Sequence, residues 1–184
     1  MTRGELLTRI TIWIAIGGYA LSVAINLLWS ESRMRKRVFL LRKRDFLIWR
    51  TRARWAWTIG CAALLAHTIC ALHFYHAWSQ ASAYRETARQ TAEVTGLDWG
   101  GGLIINYAFL AAWIADVFWW WRGLEAYRRR HRLITAFLQG LFIFMVFNAT
   151  VVFKTGFVRY SGAGICLLLL ALWLWSLPRT RNDE

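Results

Sequence analysis

Five long stretches that are nearly free of charge constrain this chain more than any other feature of its sequence. They cover about 10–29, 55–78, 99–121, 133–153 and 160–177. Each stretch holds roughly 18 to 24 residues, which lets a helix cross a hydrocarbon core ~30 Å thick. We therefore expect an all-α, polytopic membrane helix bundle with five transmembrane helices, forming a single membrane domain over 1–184.

The charged residues lie between these stretches and predict an orientation. The segment 31–54 holds ten Lys or Arg against two acids, and 122–132 holds five Arg against one acid. The segment 79–98 holds two Arg against three acids. Since cytoplasmic loops of membrane proteins are enriched in Lys and Arg, we expect the N-terminus outside and the C-terminus in the cytoplasm. The expected location is a bacterial inner (plasma) membrane. Loop charge also accounts for the net charge of +13, so we expect no nucleic-acid partner.

Two of the connecting segments have helical composition. The first, 33–50, mixes apolar and basic residues. It predicts a basic helix that lies on the inner leaflet or extends a span into the cytoplasm, with anionic lipid headgroups as partners. The second, 79–96, is rich in Ala, Gln and Glu and ends at Gly96, which predicts a short outer helix. Gly100–Gly102 then form a flexible or close-packed entry to the third span.

Tryptophans cluster near the ends of the stretches, where an indole prefers the membrane interface. Those near the predicted inner ends are Trp29, Trp55, Trp57, Trp119, Trp120, Trp121, Trp173 and Trp175, and those near the outer ends are Trp78 and Trp99. We expect most of them to anchor the bundle.

The second span carries a ridge of metal-binding side chains at successive i, i+3 positions. It consists of His67, Cys70, His73 and His76. Neighbours in such a row touch, but the row winds, so His67 and His76 face opposite sides. The spacing predicts a metal site with His73 and His76 as ligands and Glu86 as a third candidate. The alternative is that these histidines have a structural role and make hydrogen bonds within the bundle.

The polar residues within the predicted spans also allow two further hypotheses, a cofactor pocket and a proton pathway. His67, His73, Asn106 and Asn148 would line an outward-facing pocket for a metal ion or haem. His67 and Asp116 would carry protons or ions. Asp116 is the one acid within a predicted span, and its structural role would be to pair with Arg122 or another arginine at the inner boundary.

Three functions stay open on these grounds, and the sequence does not decide whether the chain is an enzyme. The first is redox chemistry at a histidine-lined metal or haem site. The second is a small transporter or proton-conducting protein. The third is a non-catalytic membrane subunit or scaffold, which binds another membrane protein or a second copy of itself. No hydrolase, kinase or nucleotide-binding motif occurs in the chain.

Overall fold

The computed structural model describes residues 2–28, 39–153 and 156–176, and every regular element in these ranges is helical. The elements are α1 (Arg3–Leu28), α2 (Phe39–His76), α3 (Gln80–Thr95), α4 (Gly102–Trp121), α5 (Leu124–Arg128), α6 (Arg132–Phe147), a π-helical turn (Asn148–Val152) and α7 (Gly156–Ser176).

Four helical segments are long and apolar enough to cross a membrane, which indicates an integral membrane protein. They are Arg3–Leu28, Asp45–His76, Gly102–Trp121 and Leu133–Val152. The apolar part of α7, Gly156–Leu172, is shorter. These segments confirm four of the five predicted spans. The predicted ends at Trp29 and Leu177 lie outside the described residues.

The basic segment before the second span is helical and continuous with it. A single helix of 38 residues runs from Phe39 to His76 without a break. Of the two alternatives for this segment, the extension of a span is therefore the one that forms, whereas 33–38 lie outside the described residues.

Helix α3 begins and ends where its sequence predicts. The Ser79 hydroxyl accepts a hydrogen bond from the backbone N–H of Ser82, 3.2 Å away, and so caps the first turn. Gly96 ends the helix in the left-handed region with a φ of 77°. The predicted close packing at the next glycines is also present, because a Cβ at Gly100 would lie 2.5 Å from the carbonyl oxygen of Tyr84.

Helices α1 and α2 form an antiparallel pair whose backbones approach closely. A Cβ on Gly18 would lie 2.7 Å from the Ala56 carbonyl oxygen and 2.8 Å from the Gly60 Cα. At one end of this pair, Gly4 packs against the Phe74 ring. Small residues allow such an approach in membrane helix pairs, where van der Waals packing drives association.

Aromatic side chains from four helices make up the core. The Trp57 ring lies 5.3 Å from that of Trp113 and 4.6 Å from that of Phe142, and Tyr19 stacks on Phe142 at 5.2 Å. Trp57 and Trp120 are both only 3% exposed. The prediction that these two indoles anchor the interface is therefore wrong, since they fill the space between helices. Trp78 and Trp99, by contrast, are exposed.

Candidate functional site

A buried ion pair joins α4 to the chain that follows it, at the end of the bundle where α1 and α4 end. We call this end, which also carries Arg50 and Arg54 of α2, the basic end. Asp116 is 2% exposed and the Arg130 side chain 7%. The Arg130 guanidinium donates to Oδ1 of Asp116, and the Tyr127 hydroxyl donates to Oδ2 at 3.0 Å. Both carboxylate oxygens are therefore occupied.

A reversal of the chain after α4 brings these partners back to Asp116. Gly123 has a φ of 142°, which disfavours a side chain, and it leads directly into the short helix α5. The Tyr127 ring of that helix then stacks on Trp120 with ring centroids 4.7 Å apart. The last turn of α4 and the basic loop are in this way held face to face.

The Arg130 side chain is fixed by two contacts in addition to its charge. Its Cζ lies 4.1 Å from the centre of the Tyr127 ring, a cation–π geometry. Its Nε donates to Thr135 on α6 at 2.9 Å. Burial and the negative charge of Asp116 raise the pKa of Tyr127, so this phenol stays protonated as a donor. The cluster thus connects α4, α5 and α6.

The opposite wall of this cluster comes from α2. Trp57 lies beside the Asp116 carboxylate with its indole N–H buried, although no hydrogen bond of normal geometry joins the two groups. Cys61, one turn further along α2, is also buried near Asp116. The thiol packs as a small apolar side chain, as expected for a cysteine inside a span.

The three histidines of α2 contact three different neighbours. His67 Nδ1 lies 2.9 Å from the carbonyl oxygen of Thr8 on α1. His73 is exposed, and its ring packs edge-on against Phe74 and near Trp78. The ridge therefore diverges in space as its winding suggested, and His67 connects two helices.

The predicted metal ligands do not come together. His76 Nδ1 faces the Ser82 hydroxyl at 3.4 Å. Glu86 accepts hydrogen bonds from Arg89 and Gln90, which lower its pKa to about 2; the charge of His76 is a smaller cause. Across 2–28, 39–153 and 156–176, no three His, Cys, Asp or Glu side chains are grouped closely enough to hold a metal ion. His73, His76 and Glu86 accordingly form no such group.

The two asparagines proposed to line the cofactor pocket occupy ordinary positions. Asn106 is exposed on α4. The Asn148 amide donates to the Phe144 carbonyl of its own helix at 2.8 Å. Nothing in their geometry joins them to His67 or His73.

Sequence reasoning found Asp116 but missed most of the groups around it. The partner is Arg130, one of the other arginines that the prediction allowed besides Arg122, and Arg122 itself is exposed. Tyr127 was not singled out, and Trp57 was expected at the membrane interface instead. A lone acid in an apolar span, followed by an arginine-rich loop, predicts an ion pair between the two. Tyr127 lies within that loop, and its position there was the available sign that it could join the pair.

No protein-family model, no curated protein and no solved structure matches this chain.

Proposed function

We propose that this chain is a non-catalytic membrane subunit or scaffold, built to hold a fixed arrangement of helices in the bilayer. The observation that carries the proposal is that two ionisable side chains within its spans, Asp116 and His67, bind other parts of the chain. Asp116 accepts hydrogen bonds from Arg130 and Tyr127, and His67 contacts the Thr8 carbonyl. Groups used in this way stabilise packing and leave little for a substrate.

The outer surface supports the same proposal. Large apolar side chains are exposed along α6 and α7, with Leu133 at 72%, Phe137 at 69% and Phe157 at 82%. In a membrane these faces contact lipid or another helix. The partner we propose is a second membrane protein or a second copy of this chain.

The proposed topology has five spans, with α7 as the fifth. The N-terminus lies outside and the C-terminus in the cytoplasm of a bacterial inner membrane. This arrangement puts the arginine-rich basic end in the cytoplasm, where the positive-inside rule favours it. Single cysteines at Ser79 and Glu125, in a background without Cys61, Cys70 and Cys166, test it by labelling intact cells with a membrane-impermeant maleimide. Labelling at Glu125 but not at Ser79 would overturn the orientation.

A purified preparation tests the scaffold function directly. We expect a colourless, metal-free protein in detergent, no proton flux in proteoliposomes, and co-purification with a membrane partner or as a defined homo-oligomer. Visible absorption, elemental analysis, a pH-sensitive dye and native mass spectrometry give the four readouts. A Soret band or stoichiometric metal would instead support the histidine-based redox hypothesis, in which His67, His73, Asn106 and Asn148 hold a cofactor.

A proton-conducting function is the second candidate, because Asp116 is an ionisable group buried within a span. Such groups often mark ion or proton pathways. This candidate predicts flux that falls when Asp116 or His67 is replaced by Ala. Flux from the wild-type protein that exceeds that of empty liposomes would favour this function over the scaffold.

A further inference from the structure

The basic end carries more positive charge than its own acids neutralise. Arg129 pairs with Glu125, and Arg130 pairs with Asp116. In the part of the chain that the structure describes, no carboxylate pairs with Arg52, Arg54 or Arg122. Unneutralised arginines at a membrane boundary attract anions.

Arg54 differs from Arg52, whose Cζ lies 4.6 Å from the Trp49 ring of its own helix, because its aromatic partner belongs to another helix. Its Cζ lies 4.0 Å from the centre of the Trp121 ring. The Trp121 indole in turn donates to the Thr58 hydroxyl on α2 at 3.0 Å, and Trp55 packs edge-on against it at 5.0 Å. The guanidinium is therefore fixed between α2 and α4.

Within 2–28, 39–153 and 156–176, no residue accepts a hydrogen bond from this guanidinium. Arg54 Nε is buried and has no acceptor among the described residues, while the residue as a whole is half-buried. A buried donor without a partner costs about 1–3 kcal/mol. A planar guanidinium stacked on an aromatic ring is well suited to bind a phosphate through two parallel hydrogen bonds.

We propose that Arg54, held on Trp121, binds the phosphate of an anionic phospholipid headgroup. The lipid is the occupant we commit to because Trp55 and Trp121 are both exposed, as side chains of the aromatic belt are at headgroup depth. Acyl chains would then lie along the apolar surfaces of α2 and α4 below the site. The proposal rests on residence in a bilayer, which is one part of the proposed function.

Thermal unfolding of the purified full-length protein in mild detergent tests this site. Dioleoylphosphatidylglycerol should raise the Tm of the wild type more than dioleoylphosphatidylcholine does. In Arg54→Gln the apparent affinity for phosphatidylglycerol should fall about fivefold, the loss expected for one arginine near an anionic surface. Arg85→Gln, which removes an equal charge from exposed α3, is the matched control and should keep the wild-type response.

Several results would overturn the site. Equal stabilisation by the two lipids would do so, as would a phosphatidylglycerol response retained in Arg54→Gln or lost equally in Arg85→Gln. Stabilisation by inorganic phosphate at the same concentration would overturn the lipid assignment. Arg54→Lys keeps the charge but loses the paired N–H donors of the guanidinium, so it should bind phosphatidylglycerol more weakly than the wild type. This variant tests the site if Arg54→Gln fails to fold. A protein that stays soluble without detergent would instead refute membrane residence.

Discussion

Gly17 and Gly18 are neighbours on α1 with opposite surroundings, so alanine should have opposite effects at the two positions. At Gly18 the added Cβ would lie 2.7 Å from the Ala56 carbonyl oxygen and 2.8 Å from the Gly60 Cα. Both obstacles belong to the backbone of α2 and cannot rotate away. At Gly17 the added Cβ would meet nothing within 4 Å.

The size of the difference follows from these distances. An ordinary contact at position 18 needs the two helices to move apart by about 0.7 Å, which forfeits dispersion energy along the pair. Overpacking of this kind costs about 1–3 kcal/mol. At position 17 only the higher helix propensity of alanine acts, which stabilises by up to about 1 kcal/mol. We therefore expect Gly18→Ala to destabilise and Gly17→Ala to be neutral or stabilising.

Unfolding by dodecyl sulfate in mixed micelles, followed by far-UV circular dichroism, measures both free energies. Leucine at the same positions amplifies the contrast: Gly18→Leu should prevent formation of the pair, whereas Gly17→Leu should fold. Effects of the two alanine variants that agree within about 0.5 kcal/mol, the usual range for surface changes, would refute the packing argument. A Gly17→Leu variant that folds but loses its oligomeric state would identify that face as an assembly surface.

Three further predictions concern the ion pair, the π-helical turn and α3. Asp116→Asn leaves the buried Arg130 charge uncompensated, so the free energy of unfolding should fall by about 3–5 kcal/mol. The double variant with Arg130→Gln should cost less than the sum of the single changes, and additivity in the same unfolding assay would contradict the pairing. Gly162→Ala would place a Cβ 2.2 Å from the Thr150 side chain of the π-helical turn. It should therefore lower the free energy of unfolding by about 1–3 kcal/mol, which an unchanged Tm would disprove. The pKa of Glu86 is about 2, below its usual 4.5, because of hydrogen bonds led by that from Arg89. Its small stabilising contribution is therefore complete above pH 4.5 and lost as the pH falls through 2. Arg89→Gln should raise this pKa in a carboxyl-resolved NMR titration, and an unchanged value would refute the cause.

The sequence predicted the helices well because its signals are local. Uncharged stretches of sufficient length located the spans, and Gly96 marked the end of α3 as a residue that tolerates the left-handed region. The continuity of α2 was one of two alternatives that composition allowed. The choice between them depended on backbone geometry, which charge and hydropathy do not encode.

The sequence could not show which apolar side chains face inward. In a soluble helix, polar residues mark the exposed face, but in a membrane both faces are apolar. Trp57 and Trp120 therefore looked like interfacial anchors, although they fill the core. The partner of His67 could not be predicted either, because it is the backbone carbonyl of Thr8 and not a side chain. Tyr127 was hidden because its arginine-rich surroundings indicated a solvated loop.

The unbroken course of α2 has a mechanical consequence. Its 38 residues extend over ~57 Å, nearly twice the thickness of a hydrocarbon core. The stretch from Arg50 back to Phe39 reaches ~16 Å beyond the point where Asn26 of α1 holds Arg50 through a 2.7 Å hydrogen bond. A change in bilayer thickness that tilts a rigid span by ~10° about that hydrogen bond would displace its Phe39 end by ~3 Å.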